Sequence, residues 1–425
     1  MQVFVGNEEL AQLQAQLINA SSEEKVLLQL RLAWQLRQRD TQQALQLVDA
    51  AEKLAQQTHD SLEGAQFPVP AQLKARGALI RGEAEVLFSR HKLALPLLET
   101  ALAEFTSLRD LHGQSDALRV LSLRATEVGE AQQAEELMLQ ALQLAQTVGD
   151  IPRERLCQAT LGIAHAFKDP EGALAKWSQY FDLQHADLVE AACMHHFYAY
   201  CYGLKSELAT AIGHWINAHD MGMRSGQLQL AMRAASNVGV AFNGLNEHHA
   251  AMEWSESALD LARRNQWPVH IALGLLQTAE TLRHQGQLEP ARPLLDEAEK
   301  MFEQMPNSRN YALANSYQGE LAHDRADYQR ALHYFAKSKE RAQALGHGDL
   351  VQVAERGMAQ TLLALGEPHQ ALAAALRALA LAQQRQDGFN IIDSLKVLAK
   401  IHDRYTDAGL TGPEGVAHED IALHY

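Results

Sequence analysis

The fold is decided by residues 236–258, SNVGVAFNGLNEHHAAMEWSESA. Ala251 and Ala258 are seven residues apart, so in a helix they lie on one face, two turns from each other. Twelve residues before Ala251, Gly239 places another small residue in the preceding helix. Asn246 lies between them and tolerates the left-handed backbone conformation that ends helices. The stretch therefore predicts two helices joined by a tight turn, with small residues where a neighbouring helix can approach closely.

The same pattern recurs along the whole chain. Seven residues after each first alanine, seven of the nine positions are again Ala. The spacing between first alanines is 50, 40, 39 and 38 residues and then 40 four times in succession. A constant period over five successive positions predicts a repeat protein in which every unit is a helical pair. The first alanines are Ala44, Ala94, Ala134, Ala173, Ala211, Ala251, Ala291, Ala331 and Ala371.

The turn of each unit is predicted five residues before the first alanine. Gly and Asn, which accept left-handed backbone, are frequent there, and the next residue is usually acidic, which suits the positive end of the following helix. Each unit is therefore predicted to be a helix, a tight turn and a second helix. The turn positions are Arg39, Ser89, Gly129, Lys168, Ser206, Asn246, Gly286, Ala326 and Gly366.

Residues 236–247 and 316–335 carry a family resemblance. The segments SNVGVAF and NE, and then SYQG and ADY, followed by their alanines, resemble the tetratricopeptide (TPR) consensus. The resemblance implies an all-α, right-handed superhelical solenoid of about nine to ten TPR-like helical hairpins. The familiar unit has about 34 residues, so units of 40 are lengthened, as is typical of bacterial signalling and regulatory proteins of this kind.

Three segments are predicted from the repeat boundaries. Residues 1–24 are expected to form an N-terminal capping helix, and residues 25–404 the TPR-like solenoid of about nine repeats. In residues 405–425, glycines and a proline break the pattern, and the last residues resemble the start of a tenth, truncated repeat. We therefore expect the chain to be a fragment of a longer protein.

Composition and motifs exclude several classes of function. With 37 basic and 52 acidic residues the formal net charge is −15, and there is no cluster of Lys and Arg, so nucleic acid is not an expected partner. No signal peptide, no apolar stretch long enough to insert into a membrane and no CxxC pair occurs, which predicts a cytoplasmic protein. Phosphate-loop, nucleophile-elbow and HExxH motifs are absent, so no catalytic residue and no cofactor are predicted.

Binding is predicted in the concave groove that the first helices of TPR hairpins line. Asn237 matches a family position at which an Asn amide pairs with the ligand backbone, donor and acceptor together. The resemblance therefore implies a protein or peptide ligand, although the same side chains are also what an ordinary solvated groove surface would carry. The groove residues predicted are Asn237, Arg233, Asn243, Gln277, Glu280, Arg283, His196 and Tyr200.

The segment 193–202, CMHHFYAYCY, is rich in aromatic residues in a chain with only 6 % of them. An aromatic binding or dimer patch is one interpretation, but a bulkier core layer is the commoner fate of helical aromatics and is favoured. A metal site can be drawn from Cys193, His196, Cys201 and His214, but their spacing matches no known zinc pattern. No metal is therefore predicted.

Three functions remain open. Residues 32–45 resemble the start of the TPR sensory arms that precede GGDEF-type diguanylate cyclase domains in bacterial proteins. The main prediction is therefore a non-catalytic sensory or regulatory region of a bacterial signalling protein of the cyclic-di-GMP type, with any cyclase activity in a domain that would follow. The alternatives are a stand-alone peptide-responsive regulator of the quorum-sensing type and a passive assembly scaffold. A homodimer is compatible with each of them.

Overall fold

The computed structural model describes residues 1–61, 71–305, 308–385 and 387–407. This part of the chain is built from helices, joined mostly by short turns. Their bounds are α1 Asn7–Asn19, α2 Ser22–Leu36, α3 Thr41–Ser61, α4 Ala71–Leu87, α5 His91–Ser107, α6 Leu111–Glu127, α7 Ala131–Val148, α8 Ile151–Ala166, α9 Pro170–Trp177, α10 Leu188–Leu204, α11 Leu208–Ser225, α12 Leu228–Gly244, α13 His248–Asn265, α14 Pro268–His284, α15 Leu288–Phe302, α16 Arg309–Asp324, α17 Tyr328–Ala344, α18 Gly348–Ala364, α19 Pro368–Gln384 and α20 Gly388–Asp407.

The repeat read from the sequence matches the helices one for one. Over the described residues, α2 to α19 form nine consecutive helix–turn–helix pairs, and each first alanine is the fourth residue of the second helix of its pair. None of these nine alanines is more than 7 % exposed. The predicted all-α fold of repeated helical hairpins is therefore confirmed.

The turns inside the hairpins have the predicted left-handed residue in seven of nine cases. Its φ angle lies between 59° at Ala326 and 83° at Gly129. At Ala326 the turn closes with the Asp327 N–H donating to the carbonyl of Ala322, and the Asp327 carboxylate then accepts from the Arg330 N–H that opens α17. The two exceptions are Arg39 and Lys168, which are absent from the positive-φ positions. One short sequence thus ends a helix and caps the next.

Small residues in the first helices give large side chains room to pack. A Cβ placed on Gly82 would come within 2.5 Å of Leu98 Cδ2, and one on Gly319 within 2.8 Å of the Phe335 ring. Leu98 and Phe335 are both fully buried. The absence of a side chain at these glycines is therefore what allows the two helices of a hairpin to lie so close.

Two places depart from the sequence expectation. The second helix of the fourth hairpin ends at Trp177, and Tyr180, which replaces the second alanine, lies in a short 3₁₀ turn and is 42 % exposed. A phenol ring is too large for a contact that elsewhere accepts a methyl group. In the interval 1–24, which was expected to be one capping helix, residues 1–6 are not helical and α1 begins only at Asn7. Of the C-terminal segment expected at 405–425, residues 408–425 lie outside the described residues.

The chain divides into two compact units. Unit 1 comprises Met1–Tyr202, Leu208–Ala241 and Trp254–Ile271. Unit 2 comprises Gly203–Glu207, Phe242–Glu253 and the described chain from Ala272 on. The largest core of unit 1 is formed by helices α2 to α6, and a core of unit 2 by α18, α19 and α20. Among the residues that the structure describes, no helix is both long enough and apolar enough to cross a membrane.

The alanine contact can be tested within one helix. Ala331 is fully buried in α17, whereas Ala336 lies on the exposed face of the same helix. We expect Ala331→Leu to lower the free energy of unfolding by about 1–3 kcal/mol, because overpacking a tight contact forces the neighbouring helix away. Ala336→Leu is the matched control and should change it by less than about 0.5 kcal/mol. Urea denaturation followed by circular dichroism measures both, and equal effects would contradict the packing argument.

Candidate functional site

In unit 2 the period of 40 brings a ladder of side chains together along one groove. Glu280, Glu320, Gln360 and Lys400 are spaced 40 residues apart, one on each of the helices α14, α16, α18 and α20. The same spacing gives two parallel rows, 283–323–363–403 and 284–324–364–404. Members of these rows line a cavity of about 600 Å³ together with neighbouring residues. The lining consists of Arg283, Glu320, His323, Asp324, Phe335, Arg356, Gln360, Leu363, Ala364, Val397, Lys400, Asp403 and Arg404.

The α14 and α16 end of the groove is an acidic network around one guanidinium. Arg283 donates to Glu280 at 2.7 Å, to Glu320 at 2.9 Å and to Asp324 at 2.6 Å. His284 lies 3.1 Å from the Glu280 carboxylate. Three carboxylates therefore surround Arg283, whose planar fork of donors can hold several acceptors at once.

The carboxylates of this network differ in their pKa values. Burial opposes ionisation of Glu280, but the hydrogen bond and the charge of Arg283 outweigh it, so the pKa of Glu280 is lowered. Burial raises the pKa of Glu320, and the negative charge of Glu280 raises it further. The two carboxylates thus share one cation unequally, and Glu320 is the one that takes up a proton first as the pH falls.

The α18 and α20 end of the same groove is basic. Arg356 lies on α18 and pairs with Asp393 at 2.5 Å. Lys400 and Arg404 project from α20 as exposed side chains, and Asp403 is the acidic lining residue between them. The lining therefore changes from mainly anionic to mainly cationic along the direction in which the hairpins follow each other in sequence. A groove of this kind can orient a ligand whose two ends differ in charge.

Four of the eight sequence-predicted groove residues lie in unit 2. Glu280 and Arg283 belong to the acidic network. Gln277 lies one turn before Glu280 on α14 and is buried. Asn243 is also buried, where its Nδ2 donates to Thr281 Oγ1 at 2.8 Å and its Oδ1 lies 3.2 Å from His248 Nδ1. Asn243 is thus engaged in connecting neighbouring hairpins.

The other four lie in unit 1. Arg233 pairs with Glu127 at 2.9 Å, which joins α12 to the end of α6. Burial, with a contribution from the positive charge of Arg233, lowers the pKa of His196 to about 3, so this imidazole is neutral. The ring of Tyr200 meets that of His196 edge-on. Asn237 is half-buried, and its buried Nδ2 finds no hydrogen-bond partner among the described residues. The eight residues predicted as one groove therefore form two groups, one in each unit, and their contact with a ligand stays a prediction.

The aromatic segment 193–202 contributes both to the core and to a half-buried ring cluster. Phe197 is fully buried and packs edge-on against Phe181 with ring centroids 5.1 Å apart. His195, and not His196, lies next to His214, with their Nδ1 atoms 2.8 Å apart. Burial, with the neighbouring His214, lowers the pKa of His195 to about 4. Among the described residues, no group of three or more His, Cys, Asp or Glu side chains is arranged to hold a metal ion.

Sequence reasoning missed the basic end of the groove. Lys400 and Arg404 follow Glu320 and Asp324 at twice the period, so the repeat that identified Glu280 and Arg283 contains the signal that would have found them. The predicted groove residues end with Arg283, on the first helix of the seventh hairpin.

No family model matches this sequence, and no curated protein matches it either. Solved structures do match. NprR in complex with its cognate peptide NprX has a TM-score of 0.53 and 16 % identity, covering 70 % of this chain and 85 % of its own. A Rap protein complexed with competence and sporulation factor gives 0.47 and 14 %, covering 94 % and 96 %. Aspartyl phosphate phosphatase F from Bacillus subtilis gives 0.47 and 13 %, covering 87 % and 96 %.

At these identities the likeness concerns the fold. The match to NprR supports the TPR-like helical repeat architecture that the sequence resemblance implied. None of these matches bears on the resemblance to the sensory arms of diguanylate cyclases, which stays a prediction.

The acidic network gives a prediction on stability. Arg283 is 15 % exposed and Glu280 10 %, so removing the guanidinium leaves poorly hydrated carboxylates facing each other. We expect Arg283→Gln to cost about 3 kcal/mol at pH 9, the lower end of the range for breaking a buried ion pair. The loss should be smaller at pH 5, because the pKa of Glu320 is raised to about 7 and removal of the guanidinium raises it further, so Glu320 is protonated there and the repulsion is relieved.

Arg292→Gln is the control for this experiment. Arg292 and Asp296 are both 47 % exposed on α15, and an exposed pair of this kind contributes only about 0–1 kcal/mol. Urea denaturation at the two pH values measures both variants. A loss for Arg283→Gln that is independent of pH would contradict the role given to the carboxylates.

Proposed function

We propose that this chain is a non-catalytic peptide-binding module and that its ligand lies extended along the groove of unit 2, with an acidic end on Lys400 and Arg404. The observation that carries the proposal is the ladder at the period of 40, which lines one continuous groove with a gradient of charge. A stand-alone peptide-responsive regulator is the function that we favour. NprR, whose fold this chain shares, was crystallised with a peptide.

The form of the groove supports a peptide over a compact metabolite. Its polar groups are spread over four alternate helices, α14, α16, α18 and α20, and do not converge on one point, as they do in the small pockets that hold single organic ligands. An extended chain offers a backbone and alternating side chains at regular intervals, which suits a surface that is itself periodic.

The charge distribution supports one orientation of the ligand. At the α14 and α16 end, Arg283 is already held by three carboxylates, so it has little capacity left for an acidic ligand. At the α20 end, Lys400 and Arg404 are exposed to the groove. A carboxylate of the peptide is therefore stabilised at the α20 end and repelled at the other.

Peptide binding can be tested with two pools of fluorescein-labelled hexapeptides, one with two acidic residues at its carboxyl end and one with two basic residues there. We expect the acidic pool to bind the unchanged chain more tightly. Lys400→Glu should weaken that binding roughly tenfold, equivalent to about 1.4 kcal/mol, because it puts a carboxylate where the acidic end is held. Fluorescence anisotropy at an ionic strength of about 0.15 M measures the affinities.

Lys300→Glu is the matched control, because it makes the same change of charge in unit 2, at an exposed position of α15 that does not line the cavity. It should leave the affinity within about twofold of the unchanged chain, because an exposed charge outside the groove is screened by salt. An equal loss of affinity in the two variants would show that binding depends on the net charge of the chain and not on the groove, which contradicts the proposal. Failure of both pools to bind would also reject the proposal.

A further inference from the structure

Residues 1–5 are an irregular segment of unit 1, in which Val3, Phe4 and Val5 are buried and Met1 and Gln2 are exposed. Val3 is 2 % exposed, Phe4 5 % and Val5 3 %. The segment has no helical conformation, and Gly6 leads from it into α1 with extended backbone angles. Three neighbouring apolar residues of an irregular segment are rarely covered so completely, because irregular segments mostly run over the surface. Here unit 1 provides a place that encloses them.

The backbone of this segment is held by side chains from several hairpins. The Gln2 carbonyl accepts from Trp34 Nε1 and from Gln35 Nε2, each at 2.9 Å. The Met1 carbonyl accepts from Arg153 Nη2 at 2.8 Å, and the Val5 carbonyl accepts from Arg39 Nη2 at 2.8 Å. Donors on α2, on the turn after it and on α8 thus satisfy the carbonyls of an irregular backbone that bends at Val3. Such contacts recognise the backbone carbonyls of a bound peptide and do not depend on its sequence.

The Phe4 side chain has a defined seat. Its ring lies over the Arg37 guanidinium, with Cζ 4.1 Å from the ring centroid, and Arg37 also lies over Trp34 at 3.6 Å. Arg37 is itself buried and pairs with Glu83 at 2.9 Å. A guanidinium held by a carboxylate between two aromatic faces is a fixed platform for a flat ring. The segment therefore combines backbone recognition with one aromatic anchor.

The surroundings leave room next to the segment. A cavity of about 640 Å³ adjoins it and is lined by Gln2, Phe4 and the following residues to Glu9. Its other walls are residues 187–189 at the start of α10 and Arg224 near the end of α11. The segment thus forms one wall of an open space and is not enclosed by tightly packed core on every side.

We propose that residues 1–5 are a tethered, exchangeable occupant of a second peptide-binding site, formed by Trp34, Gln35, Arg37, Arg39 and Arg153, and that a short peptide with an aromatic residue replaces them. This site lies in unit 1 and is separate from the groove of unit 2 to which the proposed function refers. A tethered occupant acts at an effective concentration on the order of millimolar. A free peptide therefore replaces the segment only when its affinity for the site, at the concentration present, outweighs this effective concentration of the segment. The segment thus raises the peptide concentration that is needed to fill the site.

The test uses the full chain and the labelled synthetic peptide MQVFVG, which copies residues 1–6. Phe4→Ala removes the aromatic anchor of the tethered segment and leaves the platform on Arg37 in place. We expect the peptide to bind this variant at least roughly tenfold more tightly than the unchanged chain, because its competitor has been weakened. Fluorescence anisotropy gives the affinities. A peptide with Ala in place of its Phe should bind neither protein.

Ile18→Ala is the control variant, because it removes a side chain that is 78 % exposed on α1 and does not touch the segment's seat. Its affinity for the peptide should equal that of the unchanged chain. Equal affinity for all three proteins would show that residues 1–5 do not compete. Absence of binding to Phe4→Ala, with its helical circular dichroism intact, would show that the site does not accept a free peptide. Either result overturns the proposal.

A second measurement covers the case in which Phe4→Ala does not fold. The photoreactive residue p-benzoylphenylalanine replaces Phe4 in the full chain and should cross-link to α2 near Trp34 and Arg37 on irradiation. Excess free MQVFVG should lower the yield of this cross-link. An unchanged yield would show that residues 1–5 do not leave the site, which contradicts the proposal. Lys400→Glu should leave binding of MQVFVG unchanged, so failure here and failure of the groove in unit 2 remain distinguishable.

Discussion

The close contact of paired helices at buried alanines is the constraint on which the rest of the structure depends. Each of these alanines is the fourth residue of a second helix, and the helix that precedes it often carries a small residue opposite a large one, as Gly319 does for Phe335. Because protein interiors are close-packed, such a contact has little freedom in distance or register. Because this contact recurs about every 40 residues, it determines which face of each first helix packs within its hairpin. The opposite face is available for other contacts.

That remaining face has different uses in the two units. In unit 1 it carries buried ion pairs between neighbouring hairpins, such as Arg37 with Glu83 and Arg153 with Asp116, and it covers the side chains of Val3, Phe4 and Val5. In unit 2 it lines an open groove with an acidic end and a basic end. A buried ion pair contributes little net stability compared with apolar packing, so its value in unit 1 is positional. Exposed charges in unit 2 remain available to a ligand.

The two proposals follow from this difference. A groove with exposed, graded charge selects a ligand by the sign of its ends, whereas a site with side-chain donors for backbone carbonyls and one aromatic contact selects by shape and by a single ring. A chain with both can bind two peptides of different chemistry, or one peptide under control of the other. Both ideas treat the repeat as a scaffold whose periodicity places equivalent side chains at equal intervals.

The sequence by itself determined the repeat. The spacing of small residues predicted where each hairpin turns and which alanines are buried, because close packing of helices and left-handed turns are local requirements that particular residue types meet. It also predicted Glu280 and Arg283 for one groove, and the structure pairs the two side chains and places Arg283 in the lining of the cavity. Only the tertiary structure decided that Asn237 and Gln277 belong to different units, that Tyr180 leaves its helix, and that Val3, Phe4 and Val5 are buried. These outcomes depend on which distant hairpins meet, and no local pattern in a single sequence records that.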